Sequence, residues 1–490
     1  MRLSCRIVPA AGSAPRPGTL SVEAGRIAGV DYAADARSDL VALPGLVDSH
    51  THPLGAGLER LAVNLRGAKA IDEVIARVRT SEPLAREWGL MLGFNLEPDI
   101  LAERRFPTRA ELDRALPAQP LLLYRVDGHS AAVNSAGLHM LKQSGWRFEA
   151  DTEQPLSGQA YETAAFLFRR RLSPAVIREA LRRSGAAAAA AGVTLLGAMV
   201  GDADLELGEW QVLIDGLGAM QVRAVPWLQT WDTAVPRHFG LKRVGGCLLV
   251  DGSFGSHTAW LSSVYADAPA VAGRGYLSDD KLCAFVRSAR EAGLATAFHA
   301  IGDKAVEQVV RCHEMLGPDA TGHRIEHAEL LSPGLIERIA RLGLALVVQP
   351  AFEAEWGGPE RMYRRRLGDR WRLTNPYRAL LDAGVRLAGG SDWPITEIDP
   401  LAGMRAAVNH PNPEQRVTPD EALALFTVDA ARVSGLESTG RLETGLDADV
   451  TLLTADPRSN PGARVVATCV LGKWVHVGDR AAFEQAVDDA

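Results

Sequence analysis

His50-Thr51-His52 stands at the end of the apolar run Pro44-Gly45-Leu46-Val47-Asp48-Ser49. Side chains two apart on a strand point to the same face, so both imidazoles can reach one metal ion. Two histidines at this spacing also occur on solvated strands, and the motif alone leaves both readings open. Four further pieces carry the same kinds of residue: Val250-Asp251-Gly252-Ser253, Phe298-His299-Ala300-Ile301-Gly302-Asp303, Arg324-Ile325-Glu326-His327-Ala328 and Gly389-Gly390-Ser391-Asp392-Trp393-Pro394. A lone histidine on an apolar strand is more often a satisfied core residue than a ligand. Their joint appearance at the ends of successive apolar runs points instead to one shared site.

The elements that must position these residues read as strands of a parallel sheet. Short β-branched and leucine-rich runs alternate with longer amphipathic Ala/Arg-rich segments, the pattern of βα units. Strand-like runs fall at Leu46–His52, Val193–Val200, Val222–Gln229, Gly246–Ser253, Leu294–Gly302, His323–Leu330, Ala345–Pro350 and Val385–Asp392. The predicted fold class is α/β, a (β/α)8 TIM barrel. Enzymes of that architecture gather their active sites at the C-terminal ends of the strands, where His52, Asp251, His299, His327, Gln349 and Asp392 stand here. Residues 57–180, between the first two barrel strands, are too many for a βα loop and hold strand-like runs at Met91–Asn95 and Leu121–Val126. They are expected to form an inserted subdomain covering the site. The two chain ends read as short strands with turns at Ala24-Gly25, Thr444-Gly445 and Leu471-Gly472 and are predicted to pair into a small β-sandwich. The layout is then a β-sandwich domain from 1–43 and 438–490, beside a barrel domain over 44–437.

With 490 residues, 47% hydrophobic and 23% charged, the composition is that of an ordinary globular protein. A net charge of -7 and only short basic stretches, such as Arg364 to Arg366, exclude nucleic acid as the expected partner. Five scattered cysteines form no CxxC pair, and the first nine residues contain no adequate apolar stretch for a signal peptide, so a reducing cytoplasm is expected. Gly185 to Val200 carries no charge, but Ala186 to Ala191 is only weakly hydrophobic and Gly192 interrupts it. A buried helix running into a strand is expected there, not a membrane span. The expected partner is a small-molecule substrate, and the homo-oligomeric state stays open.

Taken in order, Pro44 to His52, Asp127-Gly128-His129-Ser130, Asp251-Gly252-Ser253-Phe254-Gly255-Ser256, the three later pieces and Gly440–Pro457 resemble the amidohydrolase superfamily. Within it the resemblance is to the YtcJ-like branch (amidohydrolase family 3), which includes N-substituted formamide deformylases. It implies that His50 and His52 hold a more buried metal and His299 and His327 a more exposed one. Asp392 would contact the buried metal and handle protons as the catalytic residue. A divalent metal follows, zinc being favoured because imidazole and carboxylate donors suit it. An amide-like bond resists water at neutral pH, and a metal that lowers the pKa of water meets that difficulty. Asp392 would take a proton from the attacking water and return it to the leaving nitrogen. Its competing reading is a helix N-cap before Trp393-Pro394.

The branch commonly carries a lysine, carboxylated and bridging two metals, where this chain has Cys247. Lys242 lies five residues away and so points to the opposite face of an extended strand. A thiolate is a good zinc ligand, and a cysteine bridges in the D-aminoacylase branch, so Cys247 could still join two ions. The alternative is a small packed residue beside a single ion. Phe352 and His257 replace a histidine and an arginine frequent in the family, which changes the pocket rather than the metal chemistry. His129 and Arg324 are candidate substrate or supporting residues, and Glu162 could reach the site from the insertion. The predicted activity is hydrolysis of a non-peptide C–N bond in a small N-acyl or N-formyl amine. A deaminase is the nearest rival, but the glutamate such enzymes place three residues after the fifth-strand histidine is Gly302 here. A non-catalytic scaffold is the rival of a different class.

Overall fold

The computed structural model describes residues 1–32, 36–126, 128, 130–148, 154–202 and 205–488. The chain divides into two compact units, one of Met1–Pro53 with Gly185–Ala490 and the other of Leu54–Ser184.

Eight parallel strands carry the site: β1 (Leu46–Thr51), β2 (Val193–Val200), β3 (Arg223–Leu228), β4 (Arg243–Leu249), β5 (Ala295–Ala300), β6 (Arg324–His327), β7 (Ala345–Val348) and β8 (Arg386–Gly389). Seven lie within the runs expected from the sequence, and β4 overlaps its run, Gly246–Ser253, only in part, beginning three residues before it. β3, β2 and β1 pair side by side in one sheet, and β4 to β8 pair in chain order in a second. Where β1 ends, Asp392 N–H donates to the His50 carbonyl at 2.9 Å and His52 N–H to the Trp393 carbonyl at 2.8 Å, which ties the chain leaving β8 to β1.

Both faces of these strands are buried, as expected for parallel strands packed on two sides. One face of the second sheet, with Leu248, Val250, Phe298, Ala300, Ile325, Leu346, Val348 and Leu387, packs in one core with Leu282 and Val286 of helix Asp279–Glu291, Val306 and Val309 of helix Asp303–Met315, and Leu335 and Ile339 of helix Pro333–Leu342. The opposite face supplies smaller clusters, Val47, Leu195, Val225, Val347 and Ala388 in one, and Met199, Trp227 and Ala297 with Cys247 in another. Alternation along each strand thus sends the long apolar residues to the helices and leaves the other face for the polar residues of the site.

Strands from the two chain ends hydrogen-bond into a single eight-stranded mixed sheet, in which Val41–Pro44 lies between Arg2–Ile7 and Val450–Leu453. Val41–Pro44 serves two cores: Ala42 packs with Leu3, Ile7 and Leu452, while Val41 and Leu43 join the helix-facing core of the parallel strands.

The second unit holds its own five-stranded sheet, with Met91–Leu96 and Leu121–Arg125 paired in parallel at its centre. It has an apolar core on each side, around Leu92, Leu122 and Phe168 and around Val74, Met91 and Leu123. Among the described residues no helix is long and apolar enough to cross a membrane, and the five cysteines are free.

Candidate metal centre

β1 delivers His50 fully buried. Its Nδ1 lies 2.7 Å from Glu326 Oε2, which turns Nε2 toward Asp392 Oδ1 at 3.2 Å. His52, just past the strand end, brings its Nε2 to 3.3 Å from the same carboxylate oxygen. Asp392 is placed by a left-handed backbone conformation, φ +56°, immediately after β8.

Across from this trio, Cys247 Sγ lies 3.7 Å from His299 Nδ1. His299 Nε2 lies 3.1 Å from the Gly252 carbonyl, to which it donates, leaving Nδ1 to face the thiol. His327 Nδ1 lies 2.7 Å from Gln349 Oε1, which leaves His327 Nε2 free. The His299 and His327 rings are 4.5 Å apart, and those of His327 and His50 5.0 Å. By strand alternation His327 would share the helix-facing side with Ile325. Left-handed φ values of +71° at His327 and +48° at Ala328 turn the ring back to the polar side.

β4 reaches Cys247 through Gly245 and Gly246, with φ +95° and +88°. Only glycine fits there: an added Cβ would come 2.3 Å from the Ala297 carbonyl oxygen at Gly245 and 2.5 Å from Met199 Sδ at Gly246. The pairing of β4 with β5 shifts register across this stretch, so counting residues from Lys242 does not decide which way Cys247 points.

Three buried atoms at the centre, His50 Nε2, His327 Nε2 and Asp392 Oδ1, have no hydrogen-bond partner. Unpaired buried polar atoms are costly, and these converge. The ligand atoms of His50, Cys247 and His327 all lie within 4.8 Å of one another, as do those of His50, His52 and Asp392. Nitrogen, sulfur and carboxylate donors so grouped fit a divalent metal ion.

The electrostatics point the same way. Burial would push the Cys247 thiol up, but the imidazoles of His299, His327, His50 and His52 outweigh it and hold the group well below its ordinary value, as a thiolate. Asp392 is likewise held well below the carboxylate range, His50 and His52 overcoming its burial. Burial pulls His50 down, yet Glu326 and Asp392 raise it well above an ordinary imidazole. His52 and His299 rise to about 9 against burial, through Asp392 and Cys247 for the first and through Cys247 and Asp251 for the second. His327 alone is lowered, by burial and by the neighbouring His299. The cluster's anions attract positive charge that either protons or a metal can supply.

Asp251 is not offered to the centre. Its carboxylate accepts from the backbone N–H groups of Trp260, Ile301 and Gly302 at 2.7, 2.9 and 2.8 Å and so ties the loops after β4 and β5 together. Arg324 is buried beneath the centre, donating to Glu326 Oε1 at 2.5 Å and to the Ser49 carbonyl at 3.1 Å, which favours a supporting place over contact with substrate. Glu162 is an exposed residue of helix Gly158–Arg170 in the second unit, and His129 lies outside the described residues. His257 Nε2 pairs with Asp267 Oδ1 at 2.9 Å. Glu326 was not among the residues singled out for the site; its position next to His327 and two residues after Arg324 was the available signal.

This donor set is that of a metallohydrolase centre. The chain belongs to the amidohydrolase family, whose model matches residues 35–476. It is 30% identical to YtcJ of Bacillus subtilis (strain 168) over 461 residues, 85% of this chain and 84% of the relative. To the N-substituted formamide deformylase of Arthrobacter pascens it is 28% identical over 460 residues, 85% of this chain and 83% of that enzyme. The crystal structure of an uncharacterised metal-dependent hydrolase from Pyrococcus furiosus superposes with a TM-score of 0.80 at 25% identity, covering 93% of this chain and 99% of that one.

Proposed function

We propose that this protein is a zinc-dependent amidohydrolase that cleaves a non-peptide C–N bond of a small N-acyl or N-formyl amine, with Asp392 as general base and then general acid. The observation that carries the reading is Asp392 Oδ1, buried, without a hydrogen-bond donor, and 3.2 and 3.3 Å from the Nε2 atoms of His50 and His52. His50, His52 and Asp392 would hold one ion, and His299, His327 and Cys247 a second, and Cys247 would be the ligand the two share in place of a carboxylated lysine. When bound, such ions polarise a carbonyl and lower the pKa of water. Asp392 accepts the proton of the attacking water and passes it to the leaving nitrogen. Glu326 and Gln349 keep the Nε2 atoms of His50 and His327 turned inward. We take the eight parallel strands to close as a (β/α)8 barrel over 44–437, with 57–180 as its insertion, and the domain expected as a β-sandwich from 1–43 and 438–490 to be the single mixed sheet of the two chain ends.

The walls beside the second trio support a neutral organic substrate. Leu249 is in register with His299 and is 45% exposed. The Phe352 ring stacks on His327 with centroids 6.1 Å apart, and Trp356 lies 4.7 Å beyond it. Deamination fits poorly: at Gly302 a Cβ would come 2.1 Å from the Trp260 carbonyl oxygen, leaving no space for a glutamate. A scaffold has no use for buried polar atoms left unpaired.

The test is turnover of a panel of N-formyl and N-acyl amines by zinc-loaded protein and by Asp392→Asn. Hydrolysis by the parent protein that disappears in the variant is expected. A zinc-loaded protein that turns over no member, or a variant as active as its parent, would overturn the reading.

A further inference from the structure

We infer that Glu326 and Arg324 are positioning residues for the His50 imidazole, and that their buried ion pair sets how tightly the centre holds its metal. The inference rests on the reading of His50 as a ligand and adds what decides its quality as one. Three side chains stand in line beneath the centre. His50 Nδ1 meets Glu326 Oε2 at 2.7 Å, and Glu326 Oε1 accepts from Arg324 Nε at 2.5 Å. Arg324 Nη2 donates to the Ser49 carbonyl at 3.1 Å, and the guanidinium carbon lies 4.1 Å from the centroid of the Trp227 ring. The side chains of His50 and Glu326 are 0% exposed and that of Arg324 is 1% exposed.

Each contact has a separate consequence. With Nδ1 engaged by a carboxylate, the nitrogen left for a metal is Nε2, the atom that faces Asp392 and lacks a partner. Both Glu326 oxygens are engaged, so this carboxylate is an orienting group and not itself a ligand. A carboxylate buried this deeply needs a counter-charge, and removing one partner of such a pair leaves an uncompensated ion. Arg324 supplies that charge, and its second donor grips the backbone one residue before His50, so it holds both the orienting acid and the strand end that carries the ligand. Trp227 covers the guanidinium face.

Zinc affinity, measured by competition with a chromogenic chelator on the full chain, tests the inference, with the melting temperature of each metal-free variant recorded alongside. Glu326→Ala is expected to weaken zinc binding by about 10–100-fold. Glu326→Gln should retain more affinity than Glu326→Ala, because an amide oxygen can still accept from Nδ1–H, and Arg324→Met should weaken binding although it touches no ligand atom. Lower melting temperatures with zinc affinity unchanged would reduce the pair to a purely structural role and overturn the inference. If the single variants do not fold, the double variant Arg324→Met with Glu326→Gln removes both charges and is compared in the same way. A crystal structure of the zinc-loaded parent protein provides an arm without substitution: His50 should coordinate through Nε2 with Glu326 still hydrogen-bonded to Nδ1. Coordination through Nδ1, or by Glu326 itself, would overturn it. A parent protein that takes up no zinc would bring down the functional reading first and this inference with it.

Discussion

The two halves of the centre are built from different chemistry. On the β1 and β8 side, a carboxylate oxygen of Asp392 stands between two imidazoles, and His50 is oriented by a second carboxylate, Glu326, which is itself held by an arginine. On the β4 to β6 side the central atom is the Cys247 sulfur, whose thiol is held well below its ordinary value by the surrounding imidazoles, and the imidazoles are oriented by neutral groups, the Gly252 carbonyl for His299 and the Gln349 amide for His327. Charge-assisted hydrogen bonds are roughly twice as strong as neutral ones. The Asp392 side is therefore the more firmly preorganised half, and the Cys247 side the softer and more adaptable one. The proton affinities differ most between His50, raised by two carboxylates, and His327, lowered by burial and by His299, while His52 and His299 rise alike on the two sides.

The sharpest way to break this comparison is to remove the anion from each half in turn. Asp392→Asn should lower kcat by about 10²–10⁴-fold while the protein still binds metal through the Cys247 half. Elemental analysis alongside the kinetics checks it; full activity would remove Asp392 from proton transfer. Cys247→Ser should lower metal content and activity together, taking the metal count per chain down by one ion. Unchanged stoichiometry would mean that Cys247 only packs among Met199, Trp227 and Ala297.

A smaller effect tests how Cys247 is delivered. Gly246→Ala puts a Cβ 2.5 Å from Met199 Sδ and 2.9 Å from Trp227 Cβ at a φ of +88°. A loss of about 1–3 kcal/mol in stability is expected, read by denaturant unfolding. Smaller again, Gln349→Leu should weaken metal binding by about tenfold, at the mild end for loss of an orienting partner, because the bond it removes is neutral. A loss as large as that of Glu326→Ala would erase the distinction between the halves.

The last test contrasts Asp392 with Glu353, a buried carboxyl whose neighbouring imidazole, His410 with Nε2 3.9 Å away, is itself lowered to about 4 by burial. Burial raises Glu353 to about 7, despite hydrogen bonds from Thr374 and Asn375 that favour its ionised form. Its folded-state value lies above that of the unfolded chain, so its contribution to stability is fully present below pH 4.5, the ordinary value, and is lost as the pH rises toward 7. Glu353→Gln should therefore gain in melting temperature relative to the parent protein between pH 5 and pH 7. A constant difference across that range would mean that Glu353 ionises as freely in the folded protein as in the unfolded chain.

Much of the architecture was legible in the sequence, because hydrophobic runs bounded by turn residues mark strands locally. Seven of the eight parallel strands lie within runs that the sequence delimits and β4 overlaps its run in part, and the strands Met91–Leu96 and Leu121–Arg125 of the second unit overlap the runs expected there. Counting along strands was less dependable at the site itself. The rule that alternate residues share a face would send His327 outward with Ile325, and it gives no orientation for Cys247 across Gly245 and Gly246. Both residues enter the centre through left-handed backbone, and such departures are local conformations that a periodicity cannot reveal.

By itself the sequence determined which donors the chain possesses, in what order, and which strand ends carry them, since residue type and local pattern are properties of neighbouring positions. Only the tertiary structure decided what those donors face. Glu326 meets His50 across 276 residues of chain, and Cys247 meets His299 across 52. Arg324, for which the sequence left a substrate contact and a supporting place both open, donates to Glu326 and to the Ser49 carbonyl. The register between strands sets these meetings, and register is fixed by the packing of whole sheets and helices rather than by any stretch of sequence read alone.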